Sequence, residues 1–322
     1  MTIHRRGAAA LIAAALLAPR PARAAGWPER LVTLIVPFPP GGSNDVLARL
    51  YAQQLSDMLG QRFIVDNRPG ANGNIGAGTV ARSAPDGYTL LLSGNGQNAM
   101  NHGLYAKMPY DSRKDFVHVA QIGSVPNALA VAAAVPAKTL RELLDRAKKE
   151  ELTYAIPGTG SSGHLAMAML LQAAGVKMQN VPYRGAAPAV TDVIAGNVPM
   201  IMANVDILKP FVDDGKLRVL AVTSPERSAL YPDAPTVAES GFPNFSAIGW
   251  FGLSAPAGTP PAIVQTLHDA AVRIAQKPEI RERMATGGYV PATGSSADYA
   301  AFVSAEIDKW QRVTKEIGLT ME

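Results

Sequence analysis

The chain has 322 residues, with 30 lysines and arginines against 26 aspartates and glutamates, and no cysteine. That length exceeds one ordinary small core and suits two lobes. Without cysteine there is no disulfide, no thiol nucleophile, no cysteine metal site and no lipid-anchored N-terminal cysteine.

The first 24 residues, MTIHRRGAAALIAAALLAPRPARA, read as a secretory signal peptide. Arg5 and Arg6 start it, an apolar run from Ala8 to Ala18 follows, and Ala22-Arg23-Ala24 forms a small-x-small cleavage site. The residues around Arg5-Arg6 match the twin-arginine pattern poorly, which favours the general export route. The signal takes four arginines with it, leaving 26 bases against 26 acids. The positive charge of the whole chain is therefore a targeting feature and not a nucleic-acid footprint. Past the signal, no run of about 18 apolar residues is free of charges and breakers. The mature chain is expected to be soluble in a periplasm.

LVTLIV (Leu31–Val36) reads as a strand. Apolar residues at 46, 47, 50, 51, 55, 58 and 59 then give helical spacing over Ser43 to Leu59, ended by Gly60. FIVDN (Phe63–Asn67) is a strand, Ile75 to Ala84 a helix, and YTLLLS (Tyr88–Ser93) a strand. This βαβ alternation predicts a parallel sheet covered by helices. The pattern recurs. Thr139 and Glu142 form a capping box for a helix reaching about Glu150. Strands follow at Leu152–Ile156, around NVPY, at Val198–Val205 and at Lys216–Val222. Helices are read at Leu165–Ala174 and Pro188–Ala195. Beyond a proline-rich stretch come the strand Gly249–Pro256 and three helices, from Pro260 capped by Thr259, from Pro278, and from Ala297. The expected division is 25–124 plus 246–322 for lobe 1 and 125–245 for lobe 2. Two chain crossings make a hinge with a cleft between the lobes.

Two loops stand out. In IVPFPPGGSND, prolines 37, 39 and 40 stiffen the turn, and Gly41 and Gly42 let a ligand approach the backbone. Ser43 or Asn44 is expected to cap the helix, whose free N–H groups make an anion site. PGTGSSGH offers the same arrangement in the second lobe, with Thr159, Gly160, Ser161 and Ser162 as donors. Each loop alone also reads as a tight turn without a ligand. PGTGSSGH is not a phosphate loop, because His164-Leu165 stand where Lys and Ser/Thr are needed. It is not a nucleophile elbow either, since Gly163 directly follows Ser162. Ser93, Asn95 and Asn98 lie at a strand's C-terminal end, where open α/β sheets place ligands. Tyr183 and Arg184 follow another strand, and Arg184 is a candidate carboxylate clamp or a surface arginine. Asn204 ends a further strand, and Asp206 reads equally as a helix cap. The histidines show no metal-ligand spacing, so no metal or cofactor is expected. His164 beside Ser161 and Ser162 leaves an exported serine hydrolase as an alternative, against the plainer reading of a first-turn helix residue.

IVPFPPGGSNDVLAR, VDNRPGANGNIGA, APDGYTLLLS, VPYRGAAPAVTDVIAG, GKLRVLAVTSPERS, PDAPTVAESG and WFGLSAPAGTP occur in this order. On them the mature chain resembles the Bug family, the extracytoplasmic solute receptors of tripartite tricarboxylate transporters. The resemblance implies an α/β, two-lobe periplasmic-binding-protein fold of type II character, with a mainly parallel sheet and flanking helices in each lobe and the ligand between them. It implies a monomer that closes on a small carboxylate-bearing solute and serves a membrane permease. It assigns ligand contact to the loops matching Pro37–Ser43, including Phe38 and Pro40, and Thr159–Ser162. One departure is Ala203, where relatives often carry an acid able to pair with an ammonium group. This predicts a plain di-, tri- or aromatic carboxylate over an amino acid. A sensor for a membrane signalling partner would share the same pocket.

Overall fold

The computed structural model describes residues 26–321. The signal-peptide reading of residues 1–24 lies outside them. The apolar run Val32–Val36 forms strand β1, and its residues are nearly all buried. Strand β2 (Phe63–Asn67) and β3 (Thr89–Gly94) pair with it in parallel on either side. Helix α1 (Ser43–Leu59) crosses between β1 and β2 and buries Leu47, Leu50, Tyr51 and Leu55, the stripe its spacing predicts. Gly60 ends it at φ 72°, a left-handed cap that only glycine enters without strain. Helix α2 (Asn74–Ala81) leads back to β3. A π-helical turn, Gly96–Met100, and a short α3 (Asn101–Leu104) follow β3 directly.

Strand β4 (Phe116–Ala132) is 17 residues long and joins the two lobes. Up to Pro126 it pairs antiparallel with β9 (Ile248–Pro256), which in turn pairs with β3. From Asn127 it pairs with β7 (Met200–Asn204) and β8 (Leu217–Val222) instead. Pro126 has no N–H to give a ladder, and the change of partners falls beside it. Position 124/125, read as a chain crossing, is thus the middle of a continuous strand. In the second lobe β5 (Thr153–Ile156) pairs in parallel with β6 (Gln179–Pro182) and β7. The sheet runs β2-β1-β3-β9-β4-β7-β5-β6 with β8 beside β4. Parallel pairs lie on its flanks, and antiparallel pairs run through its centre because β4 and β9 carry the chain between lobes.

Helix α4 (Leu140–Ala147) is capped by the Thr139 hydroxyl, while Glu142 reaches back to the Lys138 N–H. Helices α5 (Ser162–Ala174) and α6 (Ala186–Ile194) start earlier than their apolar spacing suggests. Helix α7 (Val205–Asp213) follows β7 without a gap. In the tail, α8 (Pro261–Gln276) packs on β4 and α1, and α9 (Pro278–Thr286) packs on α8. The Thr259 hydroxyl donates to the Pro256 carbonyl and does not cap α8. Helix α10 (Ser296–Glu316), opened by a Ser295/Asp298 capping box, packs on β4 and α3. Among the described residues no helix is long and apolar enough to cross a membrane.

Candidate functional site

A cavity of about 650 Å³ lies where the C-terminal ends of β1, β3, β5, β6 and β7 meet the middle of β4 and the start of β9. Its size fits a small-molecule site. Phe38, Pro40, Gly41, Gly42, Ser43, Asn95, Thr159, Ser161, Ser162, Tyr183, Arg184 and Asn204 all line it. Among the described residues no aspartate or glutamate does, and Arg184 is the one charged side chain on its wall. Arg184 is exposed and forms no ion pair among the described residues.

The first loop does not end as its sequence suggests. Gly42 is the N-cap of α1 and makes no side-chain cap, and Ser43 is already helical. The Ser43 hydroxyl instead donates to Asp206 Oδ1 at 2.8 Å and accepts from Asn204 Nδ2 at 2.9 Å. The N–H groups of Gly42, Ser43 and Asn44 have no partner among the described residues. Asp45 braces the loop from behind, accepting from the Gly41 N–H at 3.1 Å and from Asn67 Nδ2 at 3.0 Å. Burial pushes the Asp45 carboxyl up, but the bonds from Arg49, Asn67 and Gly41 outweigh it and hold it below its usual range.

In the second loop Ser161 caps α5 by accepting the His164 N–H at 3.2 Å. Among the described residues its hydroxyl hydrogen meets no acceptor, and the Thr159 hydroxyl has no partner. The N–H groups of Gly158, Thr159, Ser162 and Gly163 have no partner among the described residues. Ser162 Oγ is held between Asn127 Oδ1 and Asn204 Oδ1, at 3.1 and 3.2 Å. A third helix end joins these two: Gly185, Ala186 and Ala187 at the start of α6 also line the cavity. The Gly185 N–H donates to the Pro157 carbonyl at 2.9 Å, while the N–H groups of Ala186 and Ala187 have no partner among the described residues. Three helix N-termini thus converge on the cavity, a setting that suits an anion. Apolar surface from Phe38, Trp250 and Phe251 fills much of the rest.

Four expected residues stand behind the wall. The Ser93 hydroxyl is 2.8 Å from Tyr299 Oη and 3.0 Å from Ser254 Oγ. Asn98 is buried, and its Oδ1 accepts from the Gly94 N–H at 3.1 Å. Gly160 donates its N–H to His164 Nδ1 at 3.0 Å, so both brace the loop from within. Burial lowers the His164 pKa to about 4, so the ring is neutral. Neither Ser161 nor Ser162 hydrogen-bonds to His164 through its side chain, save that Ser161 Oγ accepts the backbone N–H. A nucleophile needs its base within such reach.

Sequence reasoning missed Asn72, whose amide reaches across the cleft to the Gly160 carbonyl at 2.9 Å. It also missed Asn127, Trp250 and Phe251, which sit on the two long strands. The run of Gly and Asn in Pro69–Asn74, with four successive positive φ values from Gly70 to Gly73, was the available signal for Asn72.

Such a cleft, with helix N-termini from both lobes aimed at one cavity, defines a solute-binding protein. The chain matches the model of the tripartite tricarboxylate transporter family receptor over residues 47–319, and it belongs to that family. Protein BugT of Bordetella pertussis is 37% identical over 305 residues, covering 94% of each chain. Among solved structures, R. palustris Rpa4515 with adipate is 38% identical, with TM-score 0.88 over 92% of this chain and 100% of that one. MatC from Rhodopseudomonas palustris with bound malate is 32% identical, with TM-score 0.84 over 89% and 99%. The family is one of transporter receptors, and the chain is a receptor and not an enzyme.

Proposed function

We propose that the chain is an extracytoplasmic receptor for a small organic acid, exported by the signal peptide 1–24. It captures a di- or tricarboxylate or an aromatic carboxylate between lobes 25–124 plus 246–322 and 125–245, and passes it as a monomer to a membrane permease. The observation that carries this reading is the set of N–H groups on three helix ends that have no partner among the described residues, around a cavity lined by no described acid. A carboxylate satisfies those donors, and water shared between two separated lobes satisfies them less well. The ligand therefore binds the closed state more tightly, which is what shifts the population. The neighbours with adipate and malate support the carboxylate class. In this reading one carboxylate sits between the Gly42–Asn44 and Thr159–Gly163 donors. Arg184 takes a second negative group, and Phe38, Trp250 and Phe251 pack on the carbon body. Ala203 at the wall leaves no partner for an ammonium group, so amino acids bind less well than their deaminated analogues.

The test is a thermal-shift screen of residues 25–322 with mono-, di- and tricarboxylates, aromatic acids, amino acids and neutral sugars. A ligand at about 100 times its Kd stabilises by roughly 2.7 kcal/mol. A shift confined to carboxylates is expected. Stabilisation by a sugar and by no acid would reject the reading.

A further inference from the structure

We propose that Asp206 is a positioning residue for ligand capture: its carboxylate, from the second lobe, holds Ser43 and Tyr289 of the first and so fixes the Pro37–Ser43 donor loop. The proposal rests on the carboxylate-receptor reading only for its ligand arm. Asp206 Oδ1 accepts from Ser43 Oγ at 2.8 Å, and Oδ2 accepts from Tyr289 Oη at 2.5 Å. Tyr289 does not line the cavity; it packs at 6.1 Å, centroid to centroid, behind Phe251, which does.

An unpaired carboxylate is a poor companion for an anion site. Asp206 forms no ion pair among the described residues. Burial pushes its pKa up, opposed by the Tyr289 and Ser43 hydroxyls and by the N–H groups at the start of α7. A group of this kind is retained where its acceptors are needed, because a sheltered charge without donors is costly. Here both oxygens serve hydroxyls from the opposite lobe. The line of bonds continues from Ser43 through Asn204 and Ser162 to Asn127, so it links both donor loops. It also turns the Ser43 hydrogen toward Asp206, which leaves the first loop to meet its ligand through N–H groups.

Asparagine at this position keeps one acceptor and turns an NH₂ toward the other hydroxyl. Electrostatics and positioning then predict opposite signs. Removing a negative charge beside an anion site tightens anion binding; losing the position of the donor loop weakens it. Two measurements on residues 25–322 separate them: hydrogen–deuterium exchange over residues 37–46 without ligand, and calorimetric titration with adipate. The proposal expects faster exchange in Asp206→Asn and in Tyr289→Phe, and adipate binding weakened about tenfold in both. Exchange no faster in Asp206→Asn than in the unaltered protein overturns it, and so does tighter adipate binding. If Asp206→Asn does not fold, Tyr289→Phe decides by the same criteria. If the unaltered protein does not bind adipate, that counts against the ligand reading alone, and the exchange comparison still decides this one.

Discussion

Asn72 Nδ2 donates to the Gly160 carbonyl at 2.9 Å, joining the first lobe to the donor loop of the second across 88 positions of sequence. The same amide donates to Asn101 Oδ1 at 2.6 Å. Asn72 holds φ 49° and ψ 39°, a left-handed conformation that asparagine tolerates better than most residues. Its amide is used twice, which accounts for asparagine there and not glycine. Asn72→Asp turns an acceptor toward acceptors. It is expected to lower stability by about 2 kcal/mol and weaken ligand binding about tenfold or more. Asn72→Gly keeps the backbone and loses only the amide, so its effect is smaller. Thermal unfolding and titration of both variants check this; an Asn72→Gly variant that melts and binds like the unaltered protein would show that the cross-cleft bond is unimportant.

Arg184 separates ligands by charge number. If its guanidinium meets a second carboxylate, Arg184→Gln costs a dicarboxylate about 1.4 kcal/mol, or tenfold in Kd. A monocarboxylate with the same carbon body loses nothing comparable. The dicarboxylate's affinity should also fall more steeply with salt, since an exposed cation is screened. Paired calorimetric titrations measure this difference. Equal losses for both acids would show that Arg184 does not pair with the second carboxylate.

The parts of the site legible in the sequence are those with local signals. Helix α1 was read from its apolar spacing, and the donor loops from glycines between a buried strand and a helix. Strand β4 was not read as one element, because Gly123, Ser124, Pro126 and Asn127 interrupt its apolar pattern. Its continuity comes from pairing with β9, 122 or more residues later in the chain. Ser43 looked like a cap because serine favours that position. What draws it inward is Asp206, 163 residues away, which no local pattern announces. The start of α6 was placed at Pro188, yet the helix begins at Ala186. Alanine carries no boundary signal, and those two residues supply the third set of donors.

Gly163 tests whether α5 must sit hard against β7. A Cβ there would lie 2.1 Å from the Met202 carbonyl oxygen, a backbone atom that cannot swing aside. Gly163→Ala therefore has to push the helix N-terminus off the strand. A loss of roughly 2 to 3 kcal/mol is expected, within the range for overpacking. The donor loop moves with the helix, so ligand affinity falls as well. Thermal melts and titration would show both losses together; a variant that melts and binds like the unaltered protein would contradict the packing.

His164 gives the protein a pH dependence of definite sign. Its ring is 2% exposed, and Nδ1 accepts the Gly160 N–H at 3.0 Å. Burial lowers its pKa from the ordinary 6.5 to about 4, so the folded state favours the neutral ring. Stability from this residue is present above pH 6.5 and is lost as pH falls toward 4. A shift of that size corresponds to about 3 kcal/mol over the window. His118, buried between Ser254 Oγ and the Ser112 carbonyl, is likewise lowered by burial to about 4 and adds to the same loss. His164→Asn offers an amide oxygen in place of Nδ1 and has nothing to protonate. The melting temperature should fall less on acidification in this variant than in the unaltered protein, and His118→Gln should flatten the curve further. Protonated Nδ1 cannot accept the Gly160 N–H, so ligand affinity also drops as pH falls to about 4 in the unaltered protein and less in His164→Asn. Melting curves and titrations across this range measure both slopes. Parallel slopes in the two proteins would remove His164 from the account and leave the acid sensitivity to other groups, among them His118 and His102, which burial also lowers.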